Sequence, residues 1–293
     1  MPKQTLNRPA RAKPAISLAD GRQLPLSRPL VMGIVNVTPD SFSDGGRFDR
    51  PVEAARHALE MERLGADIID IGGESTRPGA EPVSADDEIK RVRPVIEAIR
   101  NSSTVPISID TYKAATARAA LDAGADMIND ISALRFDPAM AGLVAETEVT
   151  LILMHMLGTP RNMQDKPHYD DCVGDIAAFF AERIGFCRRH GINPSRLILD
   201  PGIGFGKRLA DNLAILANLK RFTEFGLPLL VGASRKSFIN MLHPTEQPAG
   251  ERLGGSIAAA VTAVANGADI VRVHDVAPTV EALRVTQAIG GEK

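Results

Sequence analysis

The 293-residue chain has no tryptophan, only two tyrosines and only two cysteines. So few aromatic rings leave little from which to build a base-stacking platform. Two thiols, Cys172 and Cys187, cannot form a disulfide framework, and they are expected to be reduced, as in the cytoplasm. Neither sign of charge predominates: 34 basic against 36 acidic residues give a net charge of -2, so there is no basic field to hold a phosphate backbone and no nucleic-acid partner is expected. No apolar run approaches the length of a membrane span, and the N-terminus lacks the apolar segment of a signal peptide, so no membrane partner is expected either. No His-x-His or paired-cysteine spacing suggests zinc. What is left is ordinary globular composition, 44% hydrophobic and 24% charged, at a length that suits one large domain.

The first 29 residues differ from the rest. Lys3, Arg8, Arg11, Lys13, Arg22 and Arg28 face a single acid, Asp20. Apolar stretches on either side of Asp20-Gly21 predict a small hairpin with a type I′ turn. Residues 1–29 are therefore read as a basic extension ending in a hairpin, and 30–293 as one domain. From Leu30 onward, short runs rich in Ile, Val and Leu recur eight times: 30–37, 67–72, 105–109, 127–131, 149–155, 197–200, 228–232 and 270–274. Such runs suit strands buried on both faces. Between them lie helical spacings such as Val52-Ala55-Leu59 and Val92-Val95-Ile96-Ile99. Three copies of Gly-Ala-Asp, at 65–67, 124–126 and 267–269, place a helix-ending glycine just before a strand. Eight such units predict an α/β fold, a (β/α)8 TIM barrel. A doubly wound sheet would be the alternative, but no glycine-rich fingerprint follows the first strand.

In a barrel the chemistry sits in the loops after the strands, and polar residues are expected at those ends and nowhere else along the strands. The ends read Asn36 to Gly46, Gly72 to Gly79, Asp110-Thr111, Asn129-Asp130, His155, Asp200 to Lys207, Ser234 to Ser237 and Arg272 to Asp275. The glycines of Gly202-Ile203-Gly204-Phe205-Gly206-Lys207 suggest a phosphate loop, but the spacing fits neither a P-loop nor a dinucleotide fingerprint. His155 is read as a hydrogen-bonded rim residue, and the two cysteines as packing residues of the fifth helix.

The runs Asn36-Val37-Thr38-Pro39-Asp40-Ser41-Phe42-Ser43-Asp44-Gly45-Gly46, Gly73-Glu74-Ser75-Thr76-Arg77-Pro78-Gly79 and Asp200-Pro201-Gly202-Ile203-Gly204-Phe205-Gly206-Lys207 resemble the signatures of the dihydropteroate synthase family. Ser234-Arg235-Lys236-Ser237 and Arg272-Val273-His274-Asp275 match the same family. The similarity runs from about Leu30 to the last helix.

The resemblance implies that 4-aminobenzoate displaces diphosphate from 6-hydroxymethyl-7,8-dihydropterin diphosphate, giving 7,8-dihydropteroate for folate synthesis. Three subsites follow. Asp200 would accept the adjacent N–H donors of the pterin edge, with Asn129 beside it, Asp110 near the reduced ring and Lys236 on the opposite side. Asp110, Lys236 and Asp200 would carry the catalysis. The diphosphate would meet the forked donors of Arg77 and Arg272, with His274 and Thr76, and Asn36 would contact Mg2+ through its amide oxygen. The benzoate carboxylate would lie at the start of the helix near Ser237, its ring in a slot of Pro78, Phe205 and Phe42. No activated nucleophile or strong base stands out, which suits a reaction whose nucleophile is the neutral arylamine. The family also implies a homodimer. Two alternatives stay open: a methyltetrahydrofolate-dependent methyltransferase barrel, which would not need the cationic residues, and a non-catalytic pterin binder.

Overall fold

The computed structural model describes residues 15–38, 50–75, 79–243 and 245–291. A short antiparallel hairpin, β1 (Ile16–Ser17) and β2 (Gln23–Leu24), comes first. Strand and helix then alternate: β3 (Leu30–Asn36), α1 (Arg50–Arg63), β4 (Ile68–Gly72), α2 (Ala85–Arg100), β5 (Ile107–Asp110), α3 (Ala114–Asp122), β6 (Met127–Asp130), α4 (Pro138–Thr147), β7 (Thr150–Met154) and α5 (Cys172–Arg189). The second half continues with β8 (Leu197–Asp200), α6 (Leu209–Ala217), α7 (Lys220–Thr223), β9 (Leu230–Val231), α8 (Ser237–Met241), α9 (Leu253–Ala265), β10 (Ile270–Val273) and α10 (Val276–Gly290).

Strands β3 to β10 pair in parallel in the order β8-β7-β6-β5-β4-β3-β10-β9. A parallel bridge between Leu199 and Leu229 joins the two ends of that order. The result is the (β/α)8 TIM barrel that the alternation predicts, with the helices around it. No helix among the described residues is long and apolar enough to cross a membrane.

The Gly-Ala-Asp repeats explain how adjacent strands find their register. Gly65, Gly124 and Gly267 end helices at φ of +102°, +107° and +113°, where other residues are strained. In each copy the aspartate then grips its neighbour strand twice. Asp67 donates its N–H to Val31 O and accepts Val31 N–H on its carboxylate; Asp126 does the same to Ile107, and Asp269 to Leu229. An amide at the start of a strand would otherwise lack a partner, so three copies of one tripeptide serve three strand starts.

Side chains fill the barrel from below. Leu30, Met32, Ile68, Met127, Ile152, Ile198, Leu230 and Ile270 form one interior cluster, and Ile16 and Leu18 of the hairpin join it. The hairpin thus plugs the floor, held by Thr150 Oγ1 donating to Ser17 O at 2.7 Å. Its turn differs from the predicted type I′. Gly21 N–H donates to Leu18 O and Leu18 N–H to Arg22 O, and Gly21 alone has positive φ, +85°. This is a three-residue loop with a glycine bulge, which needs one left-handed residue rather than two.

Outside the barrel a larger core lies between strands and helices. Val92, Val95, Ile96 and Ile99 of α2 are fully buried, as their spacing predicts, and Ser84 caps the helix by accepting Asp87 N–H. Val52 is an exception to the spacing argument: it is 65% exposed, and Ala54, Ala55, Ala58 and Met61 form the buried face of α1. Cys172 and Cys187 are both buried on α5.

Candidate active site

Period-two alternation carries the interior face of each strand upward from the apolar floor. Above Ile68 comes Asp70, above Met127 comes Asn129, above Ile198 comes Asp200 and above Ile270 comes Arg272. The floor is apolar and the mouth is polar because the same face changes character two residues later.

Three of these side chains, Asp70, Asn129 and Arg272, form one network with Asp110 at the end of β5. Arg272 donates from Nε to Asp70 Oδ2 at 2.6 Å and from Nη2 to Asp110 Oδ2 at 2.7 Å. Asn129 donates from Nδ2 to the same Asp70 Oδ2 at 3.2 Å. Asp70 is fully buried, and its Oδ1, with Asn129 Oδ1 and Ser108 Oγ, has no hydrogen-bond partner among the described residues.

Asp70 and Ser108 correct the expectation that polar residues stand only at strand ends. Both lie inside strands, Asp70 in Ile-Ile-Asp-Ile and Ser108 in Ile-Ser-Ile. An acid in the middle of a buried strand is a signal in its own right, since a buried carboxylate survives there only with a paired cation. Arg272 is likewise no open fork, because two of its N–H groups are already taken by carboxylates. It does not pair with Asp275, whose carboxylate instead binds Arg235 at 2.6 and 3.0 Å.

Asp200 ends β8, and its Oδ1 accepts Gly202 N–H at 2.8 Å. Burial pushes its carboxyl up to about 6, against the pull of that amide and of Lys236, Arg272 and Lys207. Asp110 is lifted further, to about 7, by burial and by Asp70 and Glu88, with Arg272 and Lys236 opposing. Lys236 thus acts on both carboxylates, and its Nζ lies 4.0 Å from the centre of the Phe205 ring. Phe205 in turn packs with Ile131, Met154, Met156 and Met163, an apolar wall beside Asn129 and Asp200.

His274 is hydrogen-bonded through Nδ1 to Ser234 Oγ at 3.0 Å. Burial first, then Arg272 and Arg235, push its pKa down to about 3, so it is a neutral hydrogen-bonding group and not a third cation. His155 is not on the rim. It is 6% exposed and sits behind the mouth against Lys207, whose Nζ is 3.1 Å from its Nδ1.

At the end of β3, Asn36 lies beside Gly72 and Asp110. A Cβ on Gly72 would stand 3.9 Å from Asn36 Oδ1 and 3.7 Å from Asp110 Oδ2, so all three border one space. Among the described residues no three His, Cys, Asp or Glu side chains gather to hold a metal.

Glu74, on the loop after β4, accepts from Tyr112 Oη at 2.9 Å and pairs with Lys113, which also binds buried Glu88 at 2.8 Å. No spacing in the sequence links these anchors, because Glu74, Glu88 and the Tyr112-Lys113 pair are distant along the chain. Ser237 is exposed and starts a helix of only five residues, so what it offers an anion is first-turn N–H groups with little dipole behind them. Thr76, Arg77, Pro78 and Phe42 lie outside the described residues. Of the residues singled out from sequence, Asn36, Asp110, Asn129, Asp200, Phe205, Lys236, Arg272 and His274 all come to this one mouth.

A parallel barrel whose mouth gathers buried carboxylates, an amide and two cations at the ends of its strands has the layout of a barrel enzyme's active site. Residues 32–274 match the family described as pterin binding enzyme. The chain is 51% identical over 270 residues to dihydropteroate synthase of Escherichia coli K12, covering 92% of this chain and 95% of that one. It superposes with a TM-score of 0.88 and 49% identity on Xanthomonas albilineans dihydropteroate synthase with 4-aminobenzoic acid, covering 94% and 98%. The Xanthomonas albilineans enzyme in complex with 7,8-dihydropteroate gives 0.84 and 46%, over 92% and 97%. The chain belongs to the dihydropteroate synthase family, the pterin-binding transferases of folate biosynthesis.

Proposed function

We propose that the chain joins 6-hydroxymethyl-7,8-dihydropterin diphosphate to 4-aminobenzoate, forming 7,8-dihydropteroate and releasing diphosphate. The observation that carries this reading is the Asp70–Arg272–Asp110 network beside Asn129, Asp200 and Lys236, which pairs acceptors for a pterin edge with cations for its departing anion.

Ionised Asp200 accepts the paired N–H donors of the pterin, Asn129 Oδ1 and Nδ2 supply one acceptor and one donor, and Lys236 donates to the ring carbonyl side. The apolar wall of Ile131, Met154 and Phe205 takes the face of the ring. The arylamine nitrogen attacks the methylene carbon as the C–O bond to diphosphate breaks and its electron pair leaves with the phosphate. Positive charge that grows on the pterin is offset by Asp110, and negative charge on the leaving group by Arg272 and Arg77, with hydrogen bonds from Thr76 and neutral His274. The amine then loses its proton to solvent. The benzoate carboxylate meets the N–H groups near Ser237, its ring between Pro78, Phe205 and Phe42.

Asn36 suits Mg2+ bound mainly by diphosphate and water, since an ion that keeps its waters and rides on phosphate needs as little as one amide oxygen from the protein. When bound, the ion would neutralise the leaving group. A homodimer is supported by an apolar groove between α6, α8 and α9 on the outer face, where Leu213 and Leu242 are 39% and 58% exposed. Two buried free thiols suit a reducing cytoplasm.

The test is incubation with the pterin diphosphate, 4-aminobenzoate and Mg2+, following diphosphate and dihydropteroate together. Equal amounts of both are expected. Absence of release overturns the reading. Light scattering in solution tests the dimer, and a monomer mass would refute it.

A further inference from the structure

Lys207 closes the glycine-rich run after β8, yet neither phosphate-loop spacing nor the proposed chemistry uses it. Its side chain is buried, at 4% exposure. Burial lowers its pKa to about 7; in the charged form its three N–H donors meet three acceptors, Phe205 O at 3.0 Å, His155 Nδ1 at 3.1 Å and His155 O at 3.3 Å. His155 is pushed down to about 2 by burial and then by Lys207, so it stays neutral and its Nδ1 can accept.

The turn that Lys207 ties down touches two groups of the mouth. At one end, Gly202 N–H holds Asp200 Oδ1; at the other, the Phe205 ring lies under Lys236 Nζ. The turn is packed so closely on β7 that a Cβ on Gly202 would stand 2.0 Å from His155 O, and one on Gly206 2.7 Å from Leu157 O. Gly202, Gly204 and Gly206 all have positive φ. With so little room between the turn and the end of β7, side chains hold the turn from its edges: Gly204 N–H donates to Asn212 Oδ1 at 2.7 Å, Gln164 Nε2 to Gly204 O at 2.8 Å and Tyr169 Oη to Gly206 O at 2.9 Å, while Lys207 ties Phe205 O to His155 at the end of β7.

We propose that Lys207 is a positioning residue for pterin recognition: it pins the Gly202–Phe205 turn to the end of β7 and thereby aims Asp200 and Lys236. The proposal rests on the pterin site described above. It separates the role of this lysine from that of a phosphate ligand, because its Nζ is buried among three acceptors of the protein.

The test is a double-mutant cycle read by calorimetry with 6-hydroxymethylpterin as probe. Lys207→Met keeps the length and removes the donors. It is expected to weaken the pterin by about tenfold in the wild-type background and by no more than about twofold in an Asp200→Asn background, since coupled residues do not add. A merely structural role would lower the melting temperature in both backgrounds and leave the two factors multiplicative. Multiplicative losses, or unchanged affinity in a folded Lys207→Met protein, overturn the proposal. If Lys207→Met does not fold, Lys207→Gln enters the same cycle, where coupled losses again support the proposal and multiplicative ones overturn it. An Asp200→Asn protein that binds pterin as wild type does would instead sink the pterin site itself, and this proposal with it.

Discussion

Arg272 and Asp70 stand 202 residues apart in the chain and 2.6 Å apart at Nε and Oδ2. Their strands, β10 and β4, are not paired with each other; both flank β3. The contact therefore exists only because the sheet closes and turns these faces inward. It also fixes what Arg272 can do: with Asp110 on Nη2, the guanidinium reaches a substrate through its remaining N–H groups.

Removing the buried partner should be costly. Asp70→Ala leaves a buried guanidinium with one carboxylate fewer and is expected to lose about 3–5 kcal/mol in urea unfolding. Arg272→Lys should not recover wild-type kcat/KM, because an ammonium cannot reproduce the two-sided fork. Wild-type stability in Asp70→Ala would show that the pair contributes little.

Asp200 gives a pH signature with a defined sign. Burial raises its folded value from 3.8 to about 6, so the folded state holds the proton more tightly than the unfolded chain. The resulting penalty is absent below about pH 4, grows as pH rises through the window and is complete above about pH 6, at on the order of 3 kcal/mol. Asp200→Asn should therefore raise Tm at pH 8 and lose that gain toward pH 4. Pterin affinity of the unaltered protein should move the other way, falling below about pH 6 as the acceptor is protonated. A gain in Tm independent of pH would refute the assignment.

Magnesium should matter only where phosphate is present. Chelation, or Asn36→Ala, is expected to weaken binding of the pterin diphosphate while leaving the free pterin alcohol unchanged, because the ion is held largely by phosphate oxygens. Calorimetry with both ligands decides this; equal losses would place Asn36 in pterin binding or in folding.

The hairpin under the barrel should act on stability alone. Ile16 is 3% exposed in the floor cluster, and Ile16→Ala is expected to cost about 2–5 kcal/mol, as for other buried aliphatic truncations. At temperatures where the protein stays folded, kcat and KM should match the wild type. A changed KM would mean that the floor transmits to the mouth.

Much of the site can be read along the chain because a barrel exports its chemistry to strand ends, where polar residues interrupt apolar runs. Asp110, Asn129 and Asp200 each lie at or next to the end of a strand and are legible for that reason. Asp70 is not, since it sits two residues inside β4, and its meaning depends on Arg272 from the last strand. Glu74, Lys113 and Glu88 come from a loop, the start of α3 and α2, and no spacing links them. Val52 shows the converse error, where correct helical spacing at the first turn of α1 still points to solvent.

The amino-acid order by itself determined the eight strand-helix units, the glycines that end three helices just before strands and the residues that stand at the strand ends, because these depend on local periodicity and local backbone conformation. Tertiary structure decided which of those groups are spent on one another. Whether Arg272 is an open fork or a paired one, whether His274 is charged and what Lys207 holds are matters of distance and dehydration inside a closed barrel, and distances across an interior are not written in any local stretch of chain.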